Sequence, residues 1–544
     1  MPPMVERSPV QPAPSLHRQG QRNRFPRLQK TRIVMTAWKP AQQTDTAFQG
    51  HPMEHPFSLH PIRRRPLATK KLAARTARRA ARQALRFALL PPFPTIPDVE
   101  FLTPNSPKYD LYLAASNLRT TLRPALRALC KTGQSVAAVL DWVRTNGLPF
   151  AVRSGGHSYE GFSQSVNVVI DTRLIDSVTL DPGSETVTVG AGASLGTVYK
   201  ALKDTGFAFA AGSCPTVGVA GHALGGGFGL LGRIYGLTCD NLLSINIVTA
   251  DSQMLTADAQ HEPDLFWACR GGGGGSFGIA TGFSFRVQPL SQVLVFGVTW
   301  TLTKSKAARL FKAWQQWAPA TSNQITSIMK VGSRSDGKLS LRCIGQSTGS
   351  ESALRGELDG LLALGQPSSP LTINTLEFFD AVDHFSGGWA YETDYFKAKS
   401  DYVVNGLSDN GIEALLQALK GAPAGQIVAL CDAYGGAIAN VASSASAFPH
   451  RDQQTFCIQY FSSWTRAADT PQRLTNMSKA YAAMRPHVPG ACYVNYCDLD
   501  LPDWATSYWG ANLSRLRQIK SQYDPNNIFR HAQSVQPIQS ASSR

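Results

Sequence analysis

Two side chains able to act as nucleophiles stand in glycine-rich stretches of this chain. His157 lies in Arg153-Ser154-Gly155-Gly156-His157-Ser158-Tyr159-Glu160-Gly161, and Cys214 in Gly212-Ser213-Cys214-Pro215-Thr216-Val217-Gly218. Paired glycines remove side chains from a tight loop, so backbone can approach a bulky ligand and its N–H groups can face phosphate. On the first stretch alone, a plain turn with a surface histidine reads equally well. Further glycine runs break the tie: Gly218, Gly221, Gly225, Gly226, Gly227 and Gly229 surround His222, and Gly271 to Gly275 precede Ser276-Phe277-Gly278-Ile279. Two of them, Gly227 to Gly232 and Gly273 to Gly278, match Gly-x-Gly-x-x-Gly. Neither sits convincingly between a strand and a helix, which argues against a Rossmann unit, and no Gly-Lys-Ser/Thr ending marks a Walker loop. The reading that remains is three glycine loops lining one long, phosphate-bearing ligand.

These loops need elements to hold them. Val136, Val139, Leu140 and Val143 form one apolar helical face, stopped by Gly147, and Phe150-Ala151-Val152 reads as a short buried strand leading into the His157 loop. Val166 to Asp171, Val178 to Asp181 and Thr186 to Val189 read as further strands, and Leu195, Val198, Tyr199 and Leu202 as a short helix. Thr281 to Val287, Gln426 to Asp432 and Phe456 to Phe461 have strand character. Ser305 is placed to cap a helix with the apolar face Ala307, Leu310, Phe311 and Trp314. Leu513, Leu516 and Ile519 mark a last helix, ended by Asp524-Pro525.

The 544 residues allow two or more large domains, and 43% apolar with 17% charged residues fit a globular core. The net charge of +16 is a property of one end. Residues 1–90 hold 18 of the 53 Lys/Arg and 3 of the 37 Asp/Glu, leaving 35 basic and 34 acidic residues elsewhere. The body therefore has no electrostatic footprint of a nucleic-acid binder. The extension, rich in Pro, Gln and Arg, reads as mostly disordered; its basic run from Lys70 to Arg86 reads first as a solvated extension, with contact to an anionic surface such as membrane or RNA the alternative. No segment reaches the length of a membrane span. Nine cysteines, an odd number without Cys-x-x-Cys or zinc-like spacing, indicate neither a disulfide scaffold nor a metal site; the default is a cytoplasmic, reducing compartment, with secretion the alternative.

The His157 and Cys214 loops, with Tyr493-Val494-Asn495-Tyr496-Cys497-Asp498 and Tyr523 to Phe529, resemble the berberine bridge enzyme-like FAD oxidases of the vanillyl-alcohol oxidase fold, over roughly residues 95 to 537. Ala220, where glycine is commoner, and the basic extension depart from the pattern. The resemblance implies an α+β fold. After a basic extension (1–90) come a PCMH-type FAD-binding part of two α+β subdomains (91–290) and a substrate domain (291–488) with a large antiparallel sheet flanked by helices. A C-terminal segment (489–536) returns to the FAD part and a tail (537–544) follows.

The same resemblance implies that His157 bonds the flavin 8α carbon and Cys214 its C6. It assigns cofactor contacts to Arg153, Ser154, Gly155, Gly156, Ser158, Val217, Gly218, Gly221, His222, Gly225, Gly226, Gly227, Gly229, Gly278 and Ile279. His222 on its own reads as a hydrogen-bonded histidine, not a metal ligand. Tyr496 is the implied base, with Asp432 taking up or stabilising the proton because an unperturbed tyrosine is a poor base at neutral pH. Gln459 and Tyr159 join Asp432 as substrate contacts; a sheet hydrogen bond is the plain alternative for Gln459. Strand alternation would set Tyr493 and Tyr496 on opposite faces. The expected activity is oxidation of a hydroxyl-bearing small molecule, a sugar lactol first and a secondary-metabolite alcohol or amine second, with O2 reduced to hydrogen peroxide. A flavin dehydrogenase with another acceptor and an idle binding protein docked by its basic extension are the alternatives.

Overall fold

The computed structural model describes residues 83, 85–88, 90–388 and 393–538; the basic run at 63–65 and most of that at 70–86 lie outside them. The first sheet is built from β1 (Val99–Leu102), β2 (Leu126–Cys130), β3 (Phe150–Arg153) and β4 (Val168–Asp171), in the order β1-β2-β4-β3. β2, β4 and β3 run parallel, and helix Gly133–Thr145 makes the crossover. Thr132 and Ser135 close a capping box at its start, and Val136, Val139, Leu140 and Val143 are buried against the sheet, as their spacing requires.

A second sheet follows from β5 (Val178–Asp181), β6 (Thr186–Gly190), the short β7 (Phe207–Ala208), β8 (Leu242–Val248), β9 (Met254–Asp258) and β10 (Ile279–Arg286). Its order is β5-β6-β10-β8-β9, antiparallel throughout, while β7 pairs apart with β11 (Gln288–Pro289). Helix Leu195–Leu202, capped by Ser194, packs its predicted apolar face into the same core.

The largest sheet has seven antiparallel strands: β12 (Gln292–Leu302), β13 (Ile325–Ser333), β14 (Leu339–Ser347), β15 (Ser369–Glu377), β16 (Tyr395–Val404), β17 (Val428–Ala433) and β18 (Gln454–Trp464). The order is β15-β12-β14-β13-β17-β18-β16. Helices Lys304–Ala320, Glu351–Leu362, Asp409–Gly421 and Thr470–Met484 cover one face, around Trp300, Trp314, Phe456 and Tyr460. The first of these begins at Thr303, not Ser305: Thr303 keeps an extended backbone and Ser305 is already helical. The class is therefore α+β with a large antiparallel sheet, as expected. Because strand side chains alternate, the residues between the core positions face the other way, towards the loops of the first two sheets.

Candidate functional site

The two nucleophile-bearing loops interlock. A Cβ on Gly155 would overlap the backbone of Gly218, and one on Gly218 would overlap Gly155 in return, so only glycines permit the approach. The contact is pinned from below: Ser154 Oγ donates to the Ala191 carbonyl at 2.8 Å, and Ser194 bridges to Gly218. Along the resulting cleft of about 480 Å³ lie Ser154, Gly155, Gly156, His157, Ser158, Cys214, Val217, Gly218, Gly221, His222, Gly229 and Gly278. Burial, with help from the Arg153 guanidinium, pushes His157 down to about 4, so its imidazole is neutral at pH 7. Cys214 is exposed, whereas the other eight cysteines are buried.

The remaining predicted cofactor positions stand one layer behind the cleft. Arg153 is buried beneath Gly156 and donates to the Ala114 carbonyl. Gly227 (φ +79°) donates its N–H to the Tyr493 hydroxyl at 2.9 Å, Gly226 (φ +114°) packs on Phe448, and Gly225 abuts Asn495. Ile279 belongs to the core under the first sheet. His222 Nε2 accepts from the Gly212 N–H at 3.1 Å, and burial drops its pKa to about 4. Among the described residues no three His, Cys, Asp or Glu side chains are placed to share a metal ion.

The open face of the seven-stranded sheet supplies the polar wall. Asp432 on β17 pairs with Cys457 on β18, and Gln459 stands one same-face position further on. Gln459 reaches the site through a partner: its Nε2 donates to the Tyr159 hydroxyl at 2.8 Å. Tyr159 is also fixed by its carbonyl, which accepts from Asn117 Nδ2 at 2.7 Å, and by an edge contact with Phe396. Tyr496 stacks on Tyr159, and Phe228 meets Tyr496 edge-on at 6.0 Å. Burial raises Asp432 to about 7, partly offset by Lys330, and raises the Tyr496 phenol far above its ordinary range.

Tyr493 and Tyr496 do not sit on opposite faces of a strand. Val494–Tyr496 is a single 3-10 turn, and the two rings touch at right angles, 5.0 Å apart. They differ in what their hydroxyls do. Tyr493 accepts from Gly227 N and from Asn495 Nδ2, both at 2.9 Å. The Tyr496 hydroxyl makes no hydrogen bond with any described residue, and Tyr496 lines the cleft.

A buried charge network, absent from the sequence reading, ties these parts together. Lys397 on β16 joins Glu160 of the His157 loop (2.5 Å) to Asp498 of the Tyr496 turn (2.6 Å), and Lys399 adds a second bond to Asp498 (2.6 Å). The three central side chains are 1%, 3% and 4% exposed. Arg119 completes the set at Glu160. Glu160 follows Tyr159 and Asp498 lies two residues after Tyr496, but nothing local shows that one lysine serves both. Phe228 and His531, which stacks on Phe162 beside the third glycine run and meets the Gly274 carbonyl at 3.2 Å, were likewise missed. The run itself is held by Lys520, which donates to the Ser276 carbonyl and pairs with Asp524, both at 2.6 Å.

The cleft fits FAD on its own geometry. A Cβ on Gly221 would meet nothing within 4 Å, and one on Gly274 would find its first neighbour at Gly221, 4.0 Å away. Two bare backbones thus face an open slot, with neutral His157 and exposed Cys214 further along it. When bound, FAD supplies an acceptor for two electrons and a proton from the substrate carbon.

Comparison with known proteins agrees with this site. Residues 124–258 match the FAD binding domain family, and residues 492–536 match the berberine and berberine-like family. An FAD-linked oxidoreductase of Bacillus subtilis, YgaK, is 33% identical over 442 residues, covering 80% of this chain and 96% of that protein. Berberine bridge enzyme-like D-1 of Nicotiana tabacum is 34% identical over 464 residues, covering 74% and 81%. Among solved structures, BBE-like 1 of Physcomitrella patens superposes with a TM-score of 0.76 at 30% identity, covering 84% of this chain and 99% of that one. A chitooligosaccharide oxidase superposes at 0.75 with 26% identity, covering 81% and 98%. The glycine cradle, the two nucleophiles and the returning C-terminal segment thus have one common explanation: the chain belongs to the berberine bridge enzyme-like family of FAD-linked oxidoreductases.

Proposed function

We propose that this protein is an oxidase that converts a hydroxyl-bearing carbon to a carbonyl, with FAD tethered through both His157 and Cys214 and with O2 reduced to hydrogen peroxide. A mono- or oligosaccharide lactol is the first substrate class, and a secondary-metabolite alcohol the second. The observation that carries the reading is that one cleft is lined by both an uncommitted phenol, Tyr496, and a buried carboxyl raised to about 7, Asp432. Tyr496 accepts the substrate hydroxyl proton. Asp432, in its ionised form, takes up the phenolic proton that Tyr496 gives up in the same step, so no buried phenolate has to form. Tyr159, held by Gln459, and Phe228 bound the space in which the substrate ring lies. Neutral His157 and accessible Cys214 are in the state that forms a bond to an electron-poor ring carbon. Two of the structural neighbours, a chitooligosaccharide oxidase and a xylooligosaccharide oxidase with xylobiose, are sugar oxidases by name, which supports the first substrate class.

The test is a panel of sugars and phenolic alcohols scored for peroxide in air. Peroxide formed in step with carbonyl product supports the oxidase. Flavin bleached anaerobically by a panel member, but not restored by oxygen, selects a dehydrogenase instead.

A further inference from the structure

One polar pair on the open face of the large sheet is not used by the mechanism above. Lys330 on β13 and Arg342 on β14 are direct cross-strand partners. Like charges directly opposite one another destabilise an antiparallel pair. Their row continues through Thr299 on β12 on one side and Leu430 on β17 on the other. The adjacent row, two residues along, contains Ile344, Ile328 and Asp432. Thr326, Ile328 and Asp432 line the cleft, so strand alternation puts Lys330 and Arg342 on the same face, one row out.

The surroundings divide the two cations. On the Arg342 side, helix Phe378–Ser386 brings Asp383 and His384. Lys330 has Arg342 on one side and the apolar Leu430 on the other, and its ammonium makes no hydrogen bond or ion pair with any described residue. Asp432 acts on it from the diagonal position without reaching ion-pair distance. Burial and Arg342 both disfavour the charge on Lys330. A half-buried ammonium one row beyond the cleft lining, on the same sheet face and repelled by its neighbour, is a site that an added anion completes.

We infer that Lys330, with Arg342 beside it, forms a carboxylate-binding subsite, and that the substrate is an alcohol or lactol bearing an acidic group. The inference rests on the proposed function for the position of the reacting carbon beside Asp432 and Tyr496. Two strand residues span about 7 Å, so the carboxylate lies roughly that far from the carbon oxidised. A sugar acid or an aromatic hydroxy acid has this reach; a neutral monosaccharide has no group for the subsite.

The experiment uses matched pairs that differ only in the acid: glucose and glucuronate, cellobiose and its uronic acid, benzyl alcohol and 4-(hydroxymethyl)benzoate. Binding to the full-length holoprotein is measured by calorimetry at low and high salt, and peroxide is measured separately. The expected result is that at least one acid binds tenfold or more tightly than its neutral partner, with the gap narrowing at high salt. In Lys330→Met the gap should fall below about threefold, and Lys330→Arg should retain most of it, neither variant melting below the wild type. No preference for any acid, absence of binding included, overturns the subsite, as does a preference that survives in Lys330→Met. The oxidase reading fails separately: a Lys330-dependent preference without peroxide leaves the subsite standing, and peroxide from neutral alcohols without a preference leaves only the oxidase.

Discussion

Tyr159 and Tyr496 stack with ring centroids 5.4 Å apart and planes 9° from parallel. One belongs to the His157 loop and the other to the C-terminal turn, so the stack fixes the proposed base against the cofactor loop. Tyr496→Phe keeps the ring and the stack and removes the proton acceptor. Flavin reduction by substrate should slow on the order of 10²–10⁴-fold, with cofactor attachment unchanged. Tyr493→Phe has a different consequence, since it leaves the Gly227 N–H without its acceptor; stability should drop by about 1–3 kcal/mol while reduction changes less. Stopped-flow reduction and urea denaturation of both variants separate the roles, and the reverse assignment would sink this choice of base.

The proposed role of Asp432 implies a pH dependence. Burial raises its pKa from 3.8 to about 7, and a proton acceptor must be ionised. Substrate oxidation should therefore rise as pH climbs through about 7 and level off above it, and Asp432→Asn should be slower and lack this rise. The folded state binds this proton more tightly than the unfolded one. The carboxyl's contribution to stability is thus favourable at low pH and declines as pH rises from about 4 to 7. Melting curves of Asp432→Asn across that window should lack this part of the decline.

The two proposed tethers would make the cofactor resistant to denaturation. Acid-precipitated protein should stay yellow, as should His157→Ala and Cys214→Ala singly, while the double variant should release FAD to the supernatant. Colourless wild-type precipitate would refute both attachments.

Val217 lines the cleft three residues after Cys214, and its carbonyl accepts from Leu195 N at 2.8 Å, so its backbone is fixed. Val217→Leu extends the side chain without moving that backbone. Reoxidation by O2 should slow much more than reduction by substrate, if this residue gates oxygen. Equal slowing of both half-reactions would remove Val217 from that role.

Lys397 is the common partner of Glu160 and Asp498. Lys397→Met leaves two buried carboxylates with less compensation and should cost about 3–5 kcal/mol in chemical denaturation. Lys399 and Arg119 keep one bond to each acid, so the protein should still fold. A cost within about 0.5 kcal/mol would show that the network does not join the two segments.

The nucleophile-bearing loops that line the cleft were legible because a ligand cradle needs particular side chains in particular loops. His157, Cys214 and the glycine runs form local patterns, and a glycine forced by backbone contact, such as Gly155 against Gly218, leaves its mark in sequence. Helix Gly133–Thr145 and strand Phe150–Arg153 were equally readable, since periodic burial is a local property. Tertiary structure decided what depends on residues far apart in the chain. Tyr493 and Tyr496 were misplaced because a 3-10 turn, with the Tyr493 hydroxyl held by the distant Gly227 and by Asn495 within the turn, replaced the assumed strand. The bond from Gln459 to Tyr159, the lysine shared by Glu160 and Asp498, and the facing of Lys330 with Arg342 arise from sheet register and docking. Register is fixed by which faces the whole sheet buries, and no short window of sequence contains that information.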